Sequence, residues 1–306
     1  MSKNPGDTIT DIVTVNKSSK RMKKLFGYFV LALVFAGISK TADAQVLDSP
    51  PRDGVYDKKV TIEKKPITYP WVREADVVWR KRIWRVIDLR EKMNQPFYYP
   101  EVPHNDLRSL TQVILDALKE GAITAYDASS TTDEFLVPLT YQEIMNRLER
   151  SDSATMQRPY PPYDWYDTVI SVKFNPSDVK RYRIKEDWFF DKQRSVMEVR
   201  ILGICPVRDN MDEKGLFRGY DPLFWIYFPE ARPVFAKAEV FNRMNSAARQ
   251  TYDDIFWKRM FASYIYKEDN VYDRRISDYA TGIDALMEAE RIKNDLFMFE
   301  HNLWEF

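Results

Sequence analysis

The side chains able to do acid–base, nucleophilic or metal chemistry are few and scattered. The 306-residue chain holds two histidines and one cysteine. His104 stands in "EVPHND" and His301 in "FEHNLWEF", and neither has a second His or a Cys at ligand spacing. Glu300, His301 and Glu305 could share part of a helix surface, because residues four apart are neighbours there. A zinc site built from them would lack the usual paired imidazoles. Cys205, in the apolar run "VRILGICPV", cannot make an internal disulfide and reads as a small core residue rather than a nucleophile. No GxSxG, HExxH, P-loop or dinucleotide fingerprint occurs, so no catalytic residue, metal site or cofactor is expected. Carboxylates are the remaining source of chemistry. A glycosidase needs two of them about 5–10 Å apart beside aromatic sugar platforms. "YDWYD" (163–167) and "IKEDWFFD" (184–191, with Glu186 and Asp187) have that composition. In a chain with 46 acidic residues such neighbourhoods arise by chance, and a solvated strand face or hairpin edge is the simpler reading.

The compartment narrows the choice. "MKKLFGYFVLALVFAGISKTADAQ" (22–45) has a short positive start at Lys23 and Lys24, an apolar core from Leu25 to Ile38, and Ala42 and Ala44 in an A-x-A arrangement. The core is shorter than the ~20 residues of a membrane-spanning helix. The expected organisation is an upstream-start extension at 1–21, a signal peptide at 22–44 cleaved between Ala44 and Gln45, a flexible arm at 45–70 and an α+β domain at 71–306. A membrane anchor or a buried helix is the alternative for the apolar run. Residues 1–44 carry seven Lys/Arg and three Asp/Glu, which leaves 39 cationic and 43 anionic residues from Gln45 onward. That balance argues against nucleic acid as a partner. Aromatics at 14% supply the Trp and Tyr that interfaces favour.

The elements that must position these groups follow from periodicity. Trp79, Ile83, Val86 and Ile87 fall at i, i+4, i+7 and i+8, which predicts a helix over 76–92 with Trp84 off its apolar stripe, among Arg80, Lys81 and Arg85. A second helix is expected at 106–120 and a third in "PLTYQEIMNRLER", where Thr140 and Glu143 form a capping box. Segments 168–174, 181–190, 196–205, 223–228 and 234–241 read as strands of a mostly antiparallel sheet, with "DKQR" and "PEARP" as hairpin connections and "VRDNMDEKGLFRGYDP" as a long polar loop. From Ser246 the chain reads as helical again. In the last stretch Tyr279, Ile283, Leu286, Ala289, Ile292, Leu296, Phe299, Leu303 and Phe306 recur every three or four residues. This helix could pack on its own sheet or along a partner. The fold class is α+β: N-terminal helices, a central sheet of about five strands, then C-terminal helices.

In an exported chain without a catalytic set, the Trp, Arg and Tyr of "WRKRIWR" and "PFYYP" suit an interface anchor, since these types are enriched at binding hot spots. The candidate partner-contact residues are Trp84, Arg85, Tyr98, Tyr99 and Trp304.

Several stretches together resemble the GldN/PorN family of gliding-motility and type IX secretion proteins. They are "DVVWRKRIWRVIDLREKMNQPFYYP", "RIKEDWFFDKQRSVMEVRILGICPV", "PLFWIYFPEARPVFAKAEVFN", "YDDIFWKRMFASYIYKEDNVYDRRISDYATG" and "ALMEAERIKNDLFMFEHNLWEF", which cover nearly everything from Trp71 to Phe306. The resemblance implies a non-enzymatic periplasmic subunit at the inner face of the outer membrane. It also implies a ring built with a GldK/PorK-like lipoprotein, self-association within that ring, and contact with a GldM/PorM-like trunk protein. It supplies no active-site residues. A periplasmic glycan-binding or glycan-cleaving protein is the competing reading.

Overall fold

The computed structural model describes residues 60–306 except 105, 129–132, 213–215, 243–244, 246 and 304–306, with backbone alone for 150–154 and 167–172. The expected extension, signal peptide and first half of the arm therefore lie outside the described residues, as does Trp304.

The main body is an eight-stranded sheet in the order β12–β1–β6–β7–β9–β2–β3, with β8 paired to β7. Its strands are β1 (Val77–Asp88), β2 (Ala125–Asp127), β3 (Pro138–Leu139), β6 (Val179–Asp191), β7 (Val196–Met211), β8 (Phe217–Pro222), β9 (Phe224–Tyr227) and β12 (Tyr264–Glu268). Every described pairing is antiparallel. Two smaller ladders stand apart, β4 (Arg150–Gln157) with β5 (Trp165–Val172), and β10 (Glu239–Val240) with β11 (Gln250–Thr251). The α-helices are α1 (Gln95–Tyr98), α2 (Leu110–Lys119), α3 (Tyr141–Leu148), α4 (Phe228–Phe235), α5 (Tyr252–Trp257) and α6 (Ile283–Asn302). The α+β class is as expected; the sheet is larger than five strands.

The segment expected as the first helix is strand β1. Its register against β6 sets Ile83 opposite Glu186 and Arg85 opposite Ile184, so these share one face, while Arg82 opposite Asp187 and Trp84 opposite Lys185 share the other. From Ile83 to Asp88 both faces are covered, so every position is buried and no period-2 alternation shows in the residue types. An apolar run buried on both sides does not by itself distinguish strand from helix. The "PEARP" stretch lies inside α4, with one proline in its first turn and Pro233 within it, so the expected strand 234–241 is reduced to Glu239–Val240. The expected polar loop is instead the end of β7 and all of β8, and β12 interrupts the expected C-terminal helices.

The largest core lies where Ile87, Tyr182, Ile184, Ile204 and Ile226 meet α2, α3, α4 and α5. Ser109, Thr140 and Thr251 cap α2, α3 and α5 through capping boxes, and the Thr140–Glu143 box is the one expected from sequence. A second core joins Ile83 and Ile265 to Ala289, Ile292 and Leu296 of α6, with Trp79 stacked on Phe299 at 4.4 Å. On the opposite face a third cluster gathers Trp84, Cys205, Val207 and Trp225 beneath Phe135. Gly203 makes room there, because a Cβ at this position would come within 2.8 Å of the Phe135 ring.

Candidate interaction surfaces

Neither Trp84 nor Arg85 is at the surface; they are 5% and 9% exposed. Trp84 lies with Lys267 4.4 Å and Lys185 6.0 Å from its ring centroid, a cation–π sandwich between neighbouring strands. Lys185 also donates to the Asp133 carbonyl at 2.6 Å, and Lys267 pairs with Asp273 at 2.7 Å. Burial, with Arg82 nearby, pulls the Lys185 ammonium below its ordinary pKa.

Arg85 belongs to a buried cluster centred on Glu186, which is fully buried. The carboxylate receives Arg259 Nη2 at 2.8 and 3.1 Å and the Trp188 indole N–H at 3.2 Å, and Arg85 Nε lies 3.3 Å from it. Both guanidinium groups lie within 6 Å of the Trp188 ring centroid, at 5.8 and 5.7 Å. Desolvation lowers the Arg85 pKa from its usual value, with Glu186 opposing that effect. Asp187 points to the opposite face, where it accepts from Arg82 at 2.7 and 3.1 Å and lies 3.5 Å from Arg80. Glu186 and Asp187, raised above as a carboxylate pair, are thus on opposite sides of β6, each held by arginine. The other acidic stretch, 163–167, is at the turn and start of β5 in the β4–β5 hairpin, beside the exposed rings of Tyr160, Tyr163 and Trp165.

Among the described residues no group of three His, Cys, Asp or Glu is arranged to hold a metal ion. His104 forms a backbone bridge with Leu107, and Cys205 is free and buried, its thiol pushed up to about 12 by burial. A groove of about 610 Å³ runs between α2 and α4, lined by Arg108, Asp116, Glu120, Glu230 and Lys237.

The stretch 60–70, expected as part of an exposed arm, is anchored to the domain. Thr61 donates to Glu239, and Lys64 pairs with Asp254. Tyr69 inserts between Arg232 and Arg200, 4.4 and 5.0 Å from its centroid, and contacts the Trp257 ring at 5.3 Å. Arg200 closes the socket by donating to the Pro70 carbonyl at 2.7 Å, while Arg232 is fixed by a buried bidentate pair with Asp253 at 2.9 and 3.3 Å. No local sequence pattern marks this socket, because Tyr69 lies more than a hundred residues before Arg200, Arg232 and Trp257.

Of the expected contact residues, Tyr99 is half exposed and Tyr98 packs on it edge-on at 4.9 Å while receiving Lys180 at its hydroxyl, 3.1 Å away. Larger apolar exposures, absent from that expected set, occur at the β4–β5 hairpin and along the outer face of α6, where Leu286, Met287 and Phe297 are 65%, 67% and 62% exposed. No helix among the described residues is long and apolar enough to cross a membrane.

The described residues form an α+β domain with ion pairs buried between its strands and helices. The family of gliding motility associated protein GldN matches residues 72–305, and the chain belongs to that family. Membership makes it a component of the gliding-motility and type IX secretion machinery. No curated protein matches the chain.

Proposed function

We propose that the protein is a non-enzymatic structural subunit of that machinery. It works in the periplasm, forming a ring with a GldK/PorK-like outer-membrane lipoprotein, associating with copies of itself, and contacting a GldM/PorM-like trunk protein. The family match over 72–305 carries this reading, since it spans nearly all of the folded domain. The ionic groups add support: Glu186, Asp187, Arg85, Arg232 and Asp253 are all engaged in ion pairs that hold strands and helices together. Export by the 22–44 segment, with cleavage between Ala44 and Gln45, belongs to the same proposal. Tyr99 is the accessible member of the proposed contact set, with Tyr98 behind it; Trp84 and Arg85 act from the interior by holding the sheet, and Trp304 extends the set at the C-terminus.

The test is a pull-down of tagged protein from gently solubilised envelope, read by mass spectrometry. Stoichiometric recovery of a lipoprotein and the trunk protein is the expected result. Recovery of the protein alone, or with glycan fragments, overturns the reading and returns attention to its carboxylates.

A further inference from the structure

Helix α6 buries one stripe against its own sheet, through Ala289, Ile292 and Leu296. Its outer face carries a second stripe, Leu286, Glu290, Lys293 and Phe297. At 100° per residue these four positions fall within about 60° of arc, centred about 100° round the helix from the buried stripe. Leu286 and Phe297 are 65% and 62% exposed, and the Glu290 and Lys293 side chains are each 58% exposed. Ile283, 75% exposed, extends the apolar surface at one end.

The order of this stripe is apolar, acidic, basic, apolar, at spacings of four, three and four. It has the same spacing from either end, with opposite charges exchanged about its centre. Laid antiparallel against a second copy, the helix sets Leu286 on the partner's Phe297 and Glu290 on the partner's Lys293, and each contact is made twice. That is the self-complementarity an isologous two-fold interface requires. A parallel arrangement in register would oppose like charges instead.

We propose that this exposed stripe of α6 is a homodimer interface, in which two copies pair antiparallel about a two-fold axis midway between Glu290 and Lys293. Within one chain Lys293 and Glu290 pair at 3.0 Å, but such an exposed pair contributes little. Exchange of these partners across the axis therefore sacrifices little, while Leu286 and Phe297 leave water. The proposal rests on the secretion reading only for self-association, to which it gives a surface, and a test on the purified chain separates its failure from failure of that reading.

Sedimentation velocity of the purified chain tests it. Wild type is expected to form a species of twice the mass of the purified chain. Glu290→Lys sets Lys against Lys twice, and Lys293→Glu sets Glu against Glu twice, so each variant alone is expected to dissociate about tenfold more readily or worse. An equimolar mixture of the two variants regains both opposite-charge contacts and is expected to dimerise again. Oxidising a mixture of Leu286→Cys and Phe297→Cys chains should also yield a covalent heterodimer far more readily than either chain alone. A monomeric wild type overturns the proposal. So do single variants that dimerise as wild type does, or a mixture that stays monomeric.

Discussion

Replacing Glu186 by Ala removes the carboxylate at the centre of the buried charge cluster. The Glu186 side chain is fully buried, that of Arg85 is 10% exposed and that of Arg259 is 32% exposed. Once the carboxylate is gone, Arg259 can turn toward water, whereas Arg85 is held under the sheet with its charge uncompensated. Breaking a buried pair in this way costs about 3–5 kcal/mol. With a urea dependence of about 3 kcal/mol per molar, suited to a domain of this size, the unfolding midpoint falls by about 1–1.7 M. Urea unfolding followed by tryptophan fluorescence measures it, since Trp188 donates to the same carboxylate. Arg259→Ala leaves Glu186 paired with Arg85 and is expected to have the smaller effect. A loss below about 1 kcal/mol for Glu186→Ala, or a larger loss for Arg259→Ala, would refute a cluster organised around Glu186.

Cys205, with its thiol raised to about 12 by burial, should resist iodoacetamide at pH 8 in the native state and react once urea unfolds the chain. The guanidinium of Arg90 holds the Asp88 carboxyl below its ordinary value of 3.8, against the opposing effect of burial. A carboxyl with a depressed folded pKa contributes stability above the unfolded value, and that contribution fades as pH falls through the folded one. Asp88→Asn should therefore lower stability modestly at pH 6 and flatten its decline below about pH 4, as urea titrations at a series of pH values will show. Gly203→Ala drives a methyl into the Phe135 ring and should cost about 1–3 kcal/mol, with faster amide exchange at 133–137 as the local sign. Tyr69→Ala empties the socket of Arg200, Arg232 and Trp257, and faster tryptic cleavage after Lys64 is the expected readout.

What was legible in the sequence was local. The Thr140–Glu143 box spans four residues and carries its own hydrogen-bond logic, and "DKQR" joins two strands that pair with each other. The C-terminal helix declared itself by a long apolar repeat, of which Ala289, Ile292 and Leu296 pack on the chain's own sheet while Ile283 and Leu286 are exposed. β1 was misread because its apolar positions fit a helical period as well as a strand covered on both faces. Its arginines looked like surface charge because their acids, Glu186 and Asp187, lie about a hundred residues further along the chain. The anchoring of 60–70 was hidden for the same reason: Tyr69 has no neighbour in sequence that explains it. Ion pairs between distant segments leave no periodic trace, and this domain uses many of them.

Their placement bears on what kind of object the domain is. β1 and β6 are long strands, and long strands can slip. A one-residue slip would carry Trp84 and Arg82 to the face packed by α6 and turn Ile83 and Ile87 to the other. It would also separate Arg82 from Asp187 and Arg85 from Glu186, leaving a fully buried carboxylate with one guanidinium instead of two. A slip would also exchange Ile83 and Trp84 between two differently packed clusters. The charged pairs accept only one arrangement. A single register fixes the outward direction of every edge and helix. In that light the two tryptophans and the arginines of "WRKRIWR" act before any partner is met, by ensuring that the surfaces presented to partners are always the same ones.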